Sequence, residues 1–226
     1  MHFFTNMPTD SGMAFVLIPH LAPEHKSIMA ELLMRYTKMD IFEAEAGMRV
    51  NPNCVYIIPP NKDMAMLKGT LQLLEPVVRR GLRHPIDFFF RSLAEDQGEK
   101  AVCIVLSGTG TEGALGLRAI KENRGLVLVQ DPKTARYDGM PGSAIATGLV
   151  DHILPPDKMP GQLLRYIKHP DARPLKPAAK TESESPEPLQ KLIALIRNHT
   201  GHDFSLYKQT TILRRIEKRM AILQIG

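Results

Sequence analysis

Two residues in this sequence have the type and setting for acid–base chemistry, His20 and Glu112. His20 follows an apolar run, Met13 to Pro19, of the kind that forms a strand covered on both faces. Glu112 lies in Leu-Ser-Gly-Thr-Gly-Thr-Glu-Gly-Ala-Leu-Gly (106–116), between a β-type run, Ala101 to Val105, and a helix-type run, Ala114 to Asn123. Open α/β sheets carry functional groups where a strand ends and a turn begins. A histidine and a carboxylate from two such turns are two members of a Ser-His-acid triad, which is recognised by geometry rather than by chain order. Each residue also has an ordinary structural use. A strand-end histidine makes hydrogen bonds, and a carboxylate at a helix start is stabilised by the helix dipole.

The same turn supports a rival chemistry. Gly108, Gly110 and Gly113 spell G-x-G-x-x-G between a strand and a helix, the dinucleotide-binding fingerprint. That reading requires an acid about 20 residues on, and Asp131 fits. Three features count against it. The motif lies in the second half of the domain, Asp131 is followed at once by Pro132, and Glu112 would set negative charge beside a pyrophosphate.

The elements that hold these residues alternate. Strand-type runs are predicted at 13–19, 41–46, 54–58, 101–106, 126–130 and 150–154. Helices are predicted at 24–36, 86–96, 114–123, 143–148 and 159–167. A hairpin is predicted at 64–73 around Lys68-Gly69, and Met1 to Pro8 reads as a helix tail running into a loop. Residues 136–142 read as a turn-rich loop. The order predicts an α/β fold, a doubly wound and mostly parallel sheet with helices on both faces.

Composition sets the bounds. The chain has 226 residues, 43% of them hydrophobic, so it can bury a sizeable core. A net charge of +5 is only mildly basic and gives no reason to expect nucleic acid. The two cysteines, Cys54 and Cys103, lie in apolar runs and read as small buried hydrophobes. Neither a CxxC nor a His/Cys cluster with zinc spacing occurs, so no metal is expected. No apolar run reaches membrane-span length, and the N-terminus lacks the pattern of a signal peptide. A cytoplasmic protein without membrane insertion is the default expectation.

Composition shifts after residue 168. Residues 169–188 are rich in Pro, Lys, Ala, Ser and Glu and read as a linker that cannot bury a core. Beyond it, Leu189 to His199 and Thr211 to Gln224 are amphipathic, the second helix with Ile212, Ile216 and Leu223 as its apolar positions. Seven Lys/Arg against two acids give 189–226 a charge of 7 − 2 = +5. Arg214, Arg215 and Arg219 could dock an acidic partner by electrostatic steering, or simply be a solvated face. Two helices in 38 residues cannot make a stable domain unaided, so 189–226 is expected to open a second one.

Four stretches together carry a family likeness. They are Pro-His-Leu-Ala-Pro-Glu-His-Lys-Ser (19–27), Val-Tyr-Ile-Ile-Pro-Pro-Asn (55–61), the glycine turn at 106–116, and Tyr-Asp-Gly-Met-Pro-Gly-Ser-Ala-Ile-Ala-Thr-Gly-Leu-Val-Asp (137–151). Residues 1–168 resemble the CheB chemotaxis methylesterase domain. The tail, from His-Thr-Gly-His-Asp-Phe-Ser-Leu-Tyr-Lys onward, resembles the N-terminal helical part of a CheR methyltransferase, in the order of a CheB–CheR fusion. The resemblance implies hydrolysis of glutamate methyl esters and deamidation of glutamines on chemoreceptor helices, by a Ser-His-Asp triad and without a cofactor. It implies that His20 is the general base and that Glu112 stands where the family has its orienting aspartate. S-adenosylmethionine would serve the methyltransferase half, but no residue present here matches its site.

Two departures follow. The family nucleophile lies in a Gly-rich serine turn after the first strand, and no stretch of this sequence matches it. Ser11, Ser27, Ser107 and Ser143 sit in other contexts. The expectation is therefore a domain lacking its first strand and nucleophile turn, inactive or nearly so, with an unpaired sheet edge. The acid is also one methylene longer, which moves the carboxylate by up to roughly 1.5 Å unless the backbone yields.

Overall fold

The computed structural model describes residues 2–19, 28–76, 84–168 and 209–224. It divides into two compact units, Met1–Leu164 and Arg165–Gly226.

The first unit is α/β and mostly parallel. His2–Thr5 (α1) is a single turn whose Phe3 and Phe4 are buried. Both rings meet Phe15 edge-on, at centroid distances of 5.9 and 5.6 Å, so the opening aromatics anchor the first strand, Phe15–Leu17 (β1). Ile28–Leu33 (α2) and Asp40–Glu43 (β2) follow, then Met48–Arg49 (β3) and Cys54–Ile57 (β4). Asp63–Leu67 (β5) and Thr70–Leu74 (β6) form the hairpin predicted from Lys68-Gly69. Both turn residues have positive φ, +50° and +72°, as the tight turn between twisted strands demands. Asp96 accepts hydrogen bonds from both turn amides.

Pro85–Gln97 (α3) has proline in its first turn, where no amide is needed. Ile86, Phe89, Phe90 and Ala94, at helical spacing, form its buried stripe. Val102–Val105 (β7), Gly116–Glu122 (α4), Leu126–Gln130 (β8), Gly139–Ala146 (α5), His152–Leu154 (β9) and Met159–Lys168 (α6), the last of which runs on into the second unit from Arg165, complete the alternation. Every residue of β8 is buried, which accounts for its unbroken apolar sequence.

The fold is the expected α/β arrangement, and its strands pair in three groups of three. Two are parallel, ordered β1-β4-β2 and β7-β8-β9, and one is antiparallel, ordered β3-β6-β5. Among the described residues, β1 is paired along one edge, with β4, and β7 along one edge, with β8. A single apolar core nevertheless runs from Tyr56 of β4 through Met64, Leu71, Phe89 and Phe90 to Val105, Val127 and Val129. Helix α3 packs on β5 and on α4, and α4 and α5 pack on β8. Lys121 on α4 meets both Asp151 carboxylate oxygens at 2.8 Å, and Asp151 also accepts from Val127 N at 2.9 Å.

One local expectation is corrected, and one short strand was not anticipated. The turn-rich stretch 136–142 is already helical from Gly139, because Met140 and Pro141 are drawn into the core. The two-residue strand β3 is too short to leave a period in the sequence.

In the second unit, Gln209–Leu223 (α7) is the described helix. Its Lys218 is buried, with Nζ 5.9 Å from the centroid of the Tyr166 ring, and Ile222 is buried one turn on. Leu223, expected on the apolar face, is exposed. The predicted linker and the predicted helix at 189–199 lie outside the described residues.

Candidate active site

Strand β7 ends at Val105, and the ten residues before α4 wind into the loop that carries Glu112. The Glu112 side chain turns inward and is only 4% exposed. Its Oε1 accepts a hydrogen bond of 2.7 Å from Ile86 N, in the first turn of α3. The carboxylate therefore lies at the positive end of the thirteen-residue α3, not at the start of its own helix. The reverse contact also exists. Asp87, 1% exposed, accepts at Oδ1 from Gly116 N, the first residue of α4, at 2.7 Å.

The rest of the loop is stitched to its neighbours. Gln130, at the end of β8 and 5% exposed, accepts from Ser107 N at 2.8 Å. Its amide nitrogen donates to Thr134 O at 3.0 Å. Ser107 Oγ accepts from Tyr137 N at 3.0 Å and donates to Tyr137 O at 3.2 Å. Gly108 N also donates to Tyr137 O, at 3.0 Å, and Gly108 O accepts from Met140 N at 2.9 Å. The turn after β8 thus fixes the turn after β7.

These contacts explain the glycines without a phosphate. A Cβ on Gly108 would overlap the Met140 sulfur, and one on Gly116 would lie 2.7 Å from Phe90 Cβ. Gly110 and Gly113 adopt φ of +82° and +90°, which side chains rarely tolerate. Helix α4 has seven residues, and its first amide is already held by Asp87. Asp131 accepts from Lys133 N at 3.0 Å and caps its own short turn. Two groups that a dinucleotide would use, the amide at the start of α4 and the Asp131 carboxylate, are therefore already engaged within the fold.

The remaining sequence-selected residues fall as follows. His20 lies three residues beyond the end of β1, outside the described residues, as does Ser27. Ser11 accepts from Met13 N at 3.4 Å, and Ser143 lies within α5. Ser107 is the serine nearest in sequence to Glu112, and its hydroxyl proton is directed at a backbone carbonyl. On α7, Arg215 and Arg219 are exposed one turn apart, whereas Arg214 shares the half-covered face of Lys218. Asp87 and Gln130 are the positions that inspection of the sequence missed. The signal for Asp87 was an acid in a helix first turn, which reads as a cap for its own helix.

Residues 1–163 match the family profile of the CheB methylesterase, and residues 187–226 match that of the CheR methyltransferase all-alpha domain. The chain belongs to the CheB methylesterase family. An uncharacterized 104.1 kDa protein of Rhodobacter capsulatus is 36% identical over 217 residues, covering 87% of this chain and 23% of that protein. A protein-glutamate methylesterase/protein-glutamine glutaminase of Syntrophomonas wolfei is 33% identical over 168 residues, covering 71% of this chain and 48% of that protein. The chain thus spans about half the length of that methylesterase and less of the larger relative. The crystal structure of the Thermotoga maritima CheB methylesterase catalytic domain aligns with a TM-score of 0.67 at 28% identity, covering 72% of this chain and 88% of that one. Among the described residues, no helix is long and apolar enough to cross a membrane. Glu112 is thus a buried carboxylate held by a backbone amide of α3, in a loop that follows a parallel strand.

Proposed function

We propose that the CheB-like part of this chain belongs to a protein-glutamate methylesterase and glutamine deamidase that acts on chemoreceptor-like helices. In this reading His20 is the general base and Glu112 the acid that orients it. The reaction needs a serine nucleophile, and no stretch of these 226 residues matches the CheB-type serine turn. The serine oxygen attacks the ester carbonyl while His20 takes the proton. The proton then leaves with methanol, or with ammonia from an amide. Water next attacks the acyl-enzyme, and a glutamate carboxylate is released. The observation that carries the reading is the buried Glu112 carboxylate, fixed by Ile86 N in the loop after β7 of a CheB-family chain. We assign residues 169–188 to a linker, and 189–226 to the start of a CheR-like helical domain whose Arg215 and Arg219 meet the same acidic helices.

The test is ester hydrolysis on methylated receptor helices, by the 226-residue chain alone and by a chain that includes a CheB-type serine turn. The chain alone should be inactive. The longer chain should hydrolyse the ester and lose that activity on His20→Ala. Activity that survives His20→Ala overturns the assignment.

A further inference from the structure

We propose that Asp87 is a positioning residue for Glu112, acting through a reciprocal clasp between the first turns of α3 and α4. The functional consequence rests on the esterase reading above; the clasp itself does not.

Two hydrogen bonds define it, Ile86 N to Glu112 Oε1 and Gly116 N to Asp87 Oδ1, each 2.7 Å. Ile86 and Asp87 are adjacent on α3, while Glu112 and Gly116 are four residues apart on the loop and α4. Each segment therefore supplies one carboxylate and one amide, and the two bonds close a ring. Sliding the loop along α3 breaks both bonds at once. Close approach holds the register, because a Cβ on Gly116 would lie 3.2 Å from Asp87 Cα as well as 2.7 Å from Phe90 Cβ.

Asp87 is well suited to this task and poorly suited to most others. It is 1% exposed, and its Oδ2 has no hydrogen-bond partner among the described residues. His84 Nδ1 lies 3.9 Å away. A buried carboxylate with one oxygen unsatisfied is expensive. What the carboxylate provides is a strong acceptor for the first amide of a helix that has no cap of its own. The acid loop depends on that amide for its position.

Hydrogen exchange of the 226-residue chain, read amide by amide by NMR, tests the coupling. In Asp87→Ala the Gly116 amide loses its acceptor directly. The clasp also requires the Ile86 amide to lose protection, by about tenfold or more, although its own acceptor is untouched. Asp87→Asn keeps an acceptor oxygen and should retain both protections. If Ile86 is unchanged in Asp87→Ala while Gly116 is exposed, Asp87 is a local cap and the proposal fails. Should Asp87→Ala not fold, Glu112→Ala carries the same reading from the other side. Loss of Gly116 protection there supports the clasp, and unchanged protection overturns it.

In a chain that includes the serine turn, Asp87→Ala should lower kcat about 10- to 100-fold with KM unchanged, since a shift of about 1 Å costs on that order. Asp87→Asn should restore most of it. Coupled amides with no esterase activity would sink the functional reading and leave the clasp standing. Activity with uncoupled amides would do the reverse.

Discussion

Shortening Glu112 to aspartate makes the acid loop more like the family pattern, and the structure predicts that it weakens this chain. Glu112 Oε1 stands 2.7 Å from Ile86 N. Removing one methylene retracts the carboxylate by up to about 1.5 Å, so the separation grows to roughly 4.2 Å if the backbone holds. No hydrogen bond survives at that distance. The loss comprises a bond to a charged acceptor, worth about 1.5–3 kcal/mol, and an amide left unpaired in the first turn of α3. Partial movement of the loop recovers some of this, so Glu112→Asp should destabilise the first unit by about 1–2 kcal/mol. For a domain of this size that is a fall in Tm of about 2–8 °C. Glu112→Gln keeps the length and one acceptor oxygen for the Ile86 amide, so its cost should be smaller. Urea and thermal unfolding of the three proteins give the order parent, Gln, Asp. A Glu112→Asp variant as stable as the parent would refute the reasoning, as would one more stable than Glu112→Gln. Either result would mean that the Ile86 contact does not hold the acid.

Two further predictions concern charge. Burial raises the Cys103 thiol well above its ordinary value, the Asp151 carboxylate adds to the rise, and Lys121 opposes it. The folded state then keeps its proton while the unfolded state releases it, so stability is fully present below about pH 8.5 and falls by about 1.4 kcal/mol per pH unit above it. A Cys103→Ala variant should lack this share of the alkaline decline in urea midpoints; parallel declines in the two proteins would count against it. On α7, Arg215 and Arg219 are exposed one turn apart. Binding of an acidic receptor helix should weaken several-fold between low and high salt and be abolished by the paired change to glutamate. Affinity that ignores salt rules out docking through this face.

The fold was legible where a period or a turn chemistry was complete. The apolar run of β8, the stripe of α3 and the Lys68-Gly69 hairpin were each readable from local residues, because burial of a whole strand, a helix face and a tight turn are local demands. Sheet partnership was not readable. Two parallel three-stranded sheets and one continuous parallel sheet require the same alternating runs, and they differ only in which strands pair. On α7, Lys218 counts as polar in a pattern, yet it is buried with its cation near the Tyr166 ring, while Leu223 is exposed.

The acid loop shows why a motif can be read correctly and still be misassigned. G-x-G-x-x-G states that the backbone must turn sharply and approach something closely; it does not state what is approached. In a dinucleotide site the approach is to a pyrophosphate. Here Gly108 lies against Met140 and Gly113 against Ile86, so the partners are side chains of α5 and α3, about 30 residues away on either side. The helix-terminal amide that would meet a phosphate meets Asp87 instead, which supplies from within the chain the negative charge that a ligand would otherwise bring. The same exchange frees Glu112 from capping its own helix and lets it extend to α3. An acid that served only its local helix start could be replaced by serine or asparagine at little cost. An acid that bridges to a second helix is constrained in both length and charge, as a group that must hold an imidazole in one orientation would also be.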